Sequence, residues 1–323
     1  MHKRTFNEAS IKLTIAPAGP ILIKAGSSGS DPTKPDMSFV RTFRNGQEAV
    51  YLPGSSLKGV LRSHCENLAR TVDSEGRRKR HGDMPIACDP LDDRISCGTR
   101  LDKKKEWTGA RKHKESCFVC RIFGNTSFAS QFRITDAYLA GESRTEERNG
   151  VAIDRVFGSV AVGPFNYETV TAGEFQATLT LKNFSLAQLG LLSLALRDLS
   201  LERVRLGFAK SRGLGLINMR VDALVLRYPL CELEGPTLQM PAGKRFDASK
   251  LYGVGAFVDS SEGYGYPVAD EVRMPEGYTY LADGWMGAEV SAPTLDTGGV
   301  DWQPLGRACV PLWKAEVENG EER

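Results

Sequence analysis

Ten residues, Pro53-Gly-Ser-Ser-Leu-Lys-Gly-Val-Leu-Arg62, constrain this chain more than any other stretch. Pro53 and Gly54 stop the apolar run before them, and the hydroxyls of Ser55 or Ser56 can cap the orphan amides of a helix. Leu57, Val60, Leu61, Leu68 and Val72 continue at helical spacing, which predicts a helix over 55–72. Free amides at a helix N-terminus, with Lys58 and Arg62 one and two turns in, offer a seat for phosphate. A turn into an ordinary surface helix uses the same residues, so the segment alone assigns no function.

A second stretch narrows the choice. Gly207-Phe-Ala-Lys-Ser-Arg-Gly-Leu-Gly215 precedes a long apolar run. Its three glycines permit left-handed backbone or close backbone approach, and Lys210 and Arg212 flank Ser211 with positive charge suited to a polyanion. No Gly-Lys-Ser/Thr follows at Walker spacing, so this is not a nucleotide P-loop.

Three further segments follow in order between these two: Cys117-Phe-Val-Cys120-Arg-Ile-Phe-Gly124, Phe132-Arg-Ile-Thr-Asp136-Ala and Ile153-Asp154-Arg155. Together the five segments resemble the RAMP superfamily of CRISPR proteins, in particular the Cas-seven-like backbone subunit of type III effector complexes, over roughly residues 9 to 229. The resemblance implies an RNA-binding subunit that works with guide RNA, complementary target RNA and other RAMP subunits. It also implies that Ser55, Ser56, Lys58, Arg62, Lys210, Ser211 and Arg212 hold the guide backbone.

Alternating Ile11, Leu13 and Ile15 read as a strand, with Ile21 and Ile23 following after a break. A short strand near 49–52, the helix 55–72, a strand over 131–140 and an alternating strand at Phe175, Ala177, Leu179 and Leu181 come next. A leucine-rich helix opened by Ser185 and a strand over 214–228 complete the series. Strand, helix, two strands, helix, strand is the order of an α+β, ferredoxin-like (RNA-recognition-like) domain, here expected over 1–230. Residues 73–120 read as a polar, basic, zinc-type insertion, and 141–172 as a projecting hairpin. The resemblance makes that hairpin, which bears Ile153-Asp154-Arg155, a thumb that wedges into the guide–target duplex, with Arg155 as an RNA-binding residue.

Residues 231–323 form an acidic C-terminal extension whose aromatics argue against simple disorder. Residues 1–230 hold 35 Lys and Arg against 24 Asp and Glu, whereas 231–323 hold 7 against 16. A basic front and an acidic back point to nucleic acid on one side and a different partner on the other. No stretch approaches the ~20 apolar residues of a membrane span, and no apolar region follows the charged N-terminus. These features predict a cytoplasmic chain without a membrane partner, in which the seven cysteines stay reduced.

Cys88, Cys97, Cys117 and Cys120 are spaced C-x8-C-x19-C-x2-C, and the close pair can place two sulfurs on one tetrahedral zinc. His64, His81 or His113 could replace Cys88 or Cys97. Four thiolates leave no open position, so such a zinc is structural. Dense cations, among them Arg77, Arg78, Lys79, Arg80, Lys103, Lys104 and Lys105, surround this region and suit phosphate contacts.

The resemblance also places an RNA-cleaving aspartate on the loop between the first strand and the first helix. Asp36, just before Met37-Ser-Phe39-Val40, fits that position, and Asp31 competes with it. A carboxylate there can hold Mg²⁺ beside the scissile phosphate or help deprotonate the adjacent 2′-hydroxyl. The expected activity is metal-dependent endoribonuclease cleavage of guide-paired RNA. A non-cleaving structural backbone uses the same motifs, and a guide-processing RAMP endoribonuclease is the remaining alternative.

Overall fold

Alternate side chains of an extended strand face opposite sides, and the first apolar alternation uses this to bury Ala9, Ile11, Leu13 and Ile15 along β1 (Glu8–Pro17). The computed structural model describes residues 3–26, 35–44, 46–75, 78, 84–241 and 243–318. Asp31, His81, Arg77, Lys79 and Arg80, singled out in the sequence, lie outside the described residues.

A hairpin of β2 (Arg41–Arg44) and β3 (Gln47–Leu52) leads into helix α1 (Gly54–Thr71). Three short helices follow, α2 (Cys97–Asp102), α3 (Gly109–Lys114) and α4 (Phe118–Phe123). The chain returns as β4 (Phe132–Ile134) and β5 (Ala137–Leu139), runs out and back as the long hairpin β6 (Arg144–Ile153) and β7 (Val160–Ala172), and re-enters the sheet as β8 (Phe175–Lys182). Helix α5 (Leu186–Ser200) and strand β9 (Ile217–Tyr228) close the series.

The main sheet is antiparallel throughout, with β1 between β9 and β8, both β4 and β5 on the far side of β8, then β3 and β2. This is a mixed α+β fold around a sheet core, consistent with a ferredoxin-like arrangement. Leu57 and Leu61 of α1 and Leu196 and Leu199 of α5 meet Leu13 and Ile15 of β1 and Met219 of β9, so both helices cover one face. Ser185 opens α5 with a reciprocal cap: its hydroxyl accepts the Gln188 amide, and the Gln188 side chain accepts the Ser185 amide.

The single strand expected over 131–140 is broken at Thr135-Asp136. The break frees the Asp136 carboxylate to accept the Gly54 amide at 2.7 Å.

Beyond β9, β10 (Glu232–Glu234), β11 (Thr237–Gln239) and β12 (Arg245–Asp247) make a small sheet, and β13 (Lys250–Tyr252) pairs with β14 (Glu271–Arg273). Strands β15 (Tyr280–Ala282) and β16 (Ala288–Ser291) extend the main sheet alongside β9. The last helix, α6 (Gln303–Glu318), crosses α5 closely: a Cβ on Gly190 would come within 2.5 Å of the Cys309 carbonyl oxygen. Asp270, 2% exposed, accepts the Leu186 amide at the start of α5 and the Gly255 amide. Burial pushes its carboxyl up to about 7, against the pull of those two amides.

Candidate metal centre and nucleic-acid surface

The insertion has one chemical focus. Cys97 opens α2, Cys117 caps α4, Cys120 lies inside α4, and Cys88 comes from the loop before them. All four are buried and their sulfurs lie within 4.8 Å of one another, the Cys88 and Cys120 sulfurs being 3.6 Å apart. Four sulfurs on a zinc at its ordinary bond length would be about 3.8 Å apart, so the cluster is built to tetrahedral scale. The Cys117 amide donates to Cys97 Sγ at 3.1 Å and the Cys120 amide to Cys117 Sγ at 3.3 Å, bonds that stabilise thiolates. As thiols the four titrate unequally: hydrogen bonding, first to Cys117, pulls Cys88 and Cys97 down, while bonding to Cys120 pushes Cys117 up. The donor set is all sulfur and enclosed, which suits a closed structural metal site.

Of the histidines considered as replacement ligands, the two among the described residues, His64 and His113, are committed elsewhere. His64 Nε2 lies 2.9 Å from Asp198 Oδ2. His113 bonds the Tyr264 carbonyl through Nδ1 and the Tyr266 hydroxyl through Nε2. The buried Arg121 guanidinium donates to the carbonyls of His113, Lys114 and Ser116, fastening α3 to α4.

At the start of α1 the structure differs from the sequence expectation. The N-cap is Pro53, and neither Ser55 nor Ser56 caps with its side chain; both lie in the first turn. The helix starts one residue early because Asp136 supplies the missing acceptor, a carboxylate well placed against the positive end of the helix dipole. Gly54 is needed there, since a Cβ would sit 2.7 Å from the Ile134 carbonyl oxygen. Lys58 is half-buried, and burial, then the charge of Arg62, holds its ammonium below the ordinary lysine value. Arg62 turns inward: Nε donates to Glu66 at 2.9 Å, Nη1 to the Gly124 carbonyl at 3.2 Å, and Nη2 reaches Cys120 Sγ at 3.6 Å. It therefore ties α1 to the cysteine cluster.

The glycine loop is shaped by two of its glycines. Gly207 and Gly215 have φ of +86° and +90°, and a Cβ on either would drive into a carbonyl oxygen, of Leu22 and Leu206 respectively. That geometry lets Phe208 donate to the Leu22 carbonyl and Gly215 to the Pro20 carbonyl, pinning the loop to the segment after β1. Lys210, Ser211 and Arg212 form one 3-10 turn and are all exposed, with the Arg212 guanidinium over the Phe208 ring. Leu206 packs with Leu57, Val60 and Leu61, so the loop and the first turns of α1 are neighbours.

Residues 20–25 join the loop to two other regions. Ile21 exchanges backbone hydrogen bonds with Val170 of β7. Ala25 donates to the Ser38 carbonyl, and Val40 to the Ile23 carbonyl. Asp36 lies beside this junction, exposed, with Oδ2 accepting the Asn166 amide of β7. Glycine loop, Asp36 segment and hairpin base thus share one short stretch of chain.

The hairpin ends in a tight turn in which Asp154 accepts the Val156 and Phe157 amides. Arg155 is exposed at that turn. Val151, Val156 and Phe157 are exposed too, Phe157 by 84%, while Phe165 lies against Gly150.

Sequence reasoning missed several residues here. Asp136 sits in a quoted segment, but its role as the α1 acceptor needs the sheet break. Asn166 acts through its backbone and Glu168 through a contact 127 positions from Arg41, neither of which a spacing pattern reveals.

A family model described as the RAMP superfamily matches residues 15–218. The match covers well over half of the sequence and contains the helix start, the cysteine pair, the hairpin and the glycine loop: the chain belongs to the RAMP superfamily. No curated protein matches the sequence significantly. None of the described helices is long and apolar enough to cross a membrane.

Proposed function

We propose that this chain is a guide-RNA-binding backbone subunit of a type III CRISPR effector complex, acting in the cytoplasm, and that it cleaves the complementary target RNA. The observation that carries the reading is the meeting of the exposed Asp36, the exposed cationic turn Lys210–Arg212 and the base of the long hairpin on residues 20–25. A guide strand lying over the glycine loop and the first turn of α1 would be met by Ser55, Ser56, Lys58, Lys210, Ser211 and Arg212. Arg62 adds positive charge while its donors hold the cysteine segment. Such contacts read backbone, and pairing with the guide reads sequence.

The ferredoxin-like domain would carry the hairpin as a thumb, with Arg155 and the exposed Val156 and Phe157 entering the guide–target duplex. Displacing a base pair there would leave a kinked target phosphate near the Asp36 of the neighbouring subunit along the guide, the geometry in-line attack requires. Asp36 would hold Mg²⁺ or assist removal of the 2′-hydroxyl proton. Zinc on Cys88, Cys97, Cys117 and Cys120 would be structural. Other RAMP subunits would continue the filament along the guide.

A backbone that binds without cutting is the second reading. It is favoured by one observation: among the described residues, the sole group of side chains spaced to hold a metal is the cysteine cluster, and Asp36 is outside it. Incubating the guide-loaded complex with labelled complementary RNA and Mg²⁺ separates the two. Cleavage by wild type that Asp36→Ala abolishes, with target binding kept, supports the slicing subunit; binding without cleavage by wild type supports the scaffold.

A further inference from the structure

The Asp36 segment is not a free loop end. Residues 36–39 run beside residues 166–168 of β7, with the Met37 amide donating to the Asn166 carbonyl at 3.1 Å and the Glu168 amide to the Met37 carbonyl at 2.9 Å. The side chain of Glu168 adds a second layer. Its Oε2 accepts the Phe39 amide at 3.0 Å and the Arg41 Nη1 at 2.7 Å, while Oε1 takes Arg41 Nη2 in a parallel bond. A bidentate carboxylate–guanidinium pair of this kind fixes orientation as well as distance.

The pair is shielded: the Glu168 side chain is 12% exposed and that of Arg41 30%. Burial raises the Glu168 carboxyl, but the bonds from Arg41 and the Phe39 amide outweigh it and hold the group below the ordinary glutamate value. Phe39, 1% exposed, anchors the segment in the hydrophobic core. Among the described residues, the hydrogen bonds and the β-bridge that join residues 36–41 to β7 fall on three consecutive residues, Asn166, Tyr167 and Glu168. A displacement of the hairpin base is therefore carried directly to Asp36.

We infer that Glu168, paired with Arg41, is a positioning residue that couples the long hairpin to the Asp36 segment, so that the carboxylate is in place when the hairpin is seated on a nucleic-acid duplex. This rests on the reading of Asp36 given above and adds the control of that site. Glu168 need not touch the RNA to do this.

The test uses the full chain in two measurements on Glu168→Ala and the milder Glu168→Gln, which keeps an acceptor for the Phe39 amide and loses the ion pair. Hydrogen exchange of the protein without RNA is expected to accelerate over residues 37–41 by about tenfold or more in the alanine variant, and less in the glutamine variant. Single-turnover cleavage of complementary RNA is expected to fall by about tenfold or more at unchanged guide affinity. Unchanged exchange over 37–41 in both variants overturns the clamp. Faster exchange with wild-type cleavage, where Asp36→Ala abolishes cutting, overturns its positioning role and leaves the Asp36 assignment standing. If Asp36→Ala itself cuts normally, the cleavage reading falls and the positioning role falls with it. Should Glu168→Ala not fold, the glutamine variant decides by the same two readouts.

Discussion

Asp36 Oδ2 accepts the backbone amide of Asn166 at 2.9 Å, across 130 positions of sequence. One oxygen of the candidate cleavage residue is thereby held by the hairpin strand, while the residue as a whole is exposed. Replacing the carboxylate by an amide separates these roles, because an asparagine carbonyl can still accept the Asn166 amide. Asp36→Asn is expected to leave the melting temperature unchanged and to lower target cleavage by about 10²-fold or more, the usual loss of a general base or metal-holding group. Equal cleavage by the asparagine variant and wild type would remove Asp36 from the chemistry.

The cationic turn offers a quantitative check that needs no cleavage. Lys210 and Arg212 are exposed and form no ion pair among the described residues. Each phosphate contact on a single strand contributes about −0.7 to the slope of log affinity against log salt. The double variant Lys210→Ala, Arg212→Ala is expected to reduce that slope by about 1.4 and to weaken binding uniformly across guide sequences. A slope that does not move places the guide elsewhere.

The cysteine cluster predicts one metal per chain, measurable by elemental analysis. Cys120→Ser replaces a sulfur that also receives Arg62, so loss of metal should loosen α1 from α4. Stability is expected to fall by more than about 2 kcal/mol, the scale of a lost structural ligand. Chelation of the wild-type protein should approach the same lowered melting temperature, and leave the serine variant little changed.

Asp270 predicts a pH dependence of the opposite sign to that of a salt-bridged acid. Its folded value of about 7 exceeds the ordinary value of 3.8, so the folded chain binds more protons than the unfolded chain between those limits. Its contribution is complete below the unfolded value and is lost as pH rises towards 7. Urea unfolding at pH 5 and pH 7.5 should show that decline in wild type and a flatter profile in Asp270→Asn. An identical decline in both would assign it to other groups.

The architecture was legible wherever periodicity and turn chemistry agree. The alternation of β1 and β8, the apolar stripe of α1, the Ser185 opening of α5 and the Cys-x-x-Cys pair all read directly from local pattern. What escaped was set by contacts distant in sequence. The cap of α1 comes from Asp136, 82 positions on, so the nearby hydroxyls of Ser55 and Ser56 were the natural but mistaken choice. Arg62 reads from the sequence as a guide-backbone cation, yet its donors turn to Glu66 and the cysteine segment. The aspartate loop was placed by resemblance, whereas its tether to β7 follows from a backbone amide, which has no sequence signature.

The crossing of α6 over α5 at Gly190 bears on how this protein can be cut into fragments. Residues 288–291 cover the flank of β9, and α6 covers the leucine-rich helix. Cutting the chain just after β9, near residue 230, would strip both coverings at once, leaving β9 with an unpaired outer edge and α5 with an uncovered apolar face. A fragment ending near 230 is thus expected to aggregate. The C-terminal segment is a structural cover for the sheet edge and the leucine-rich helix, not a separable tail.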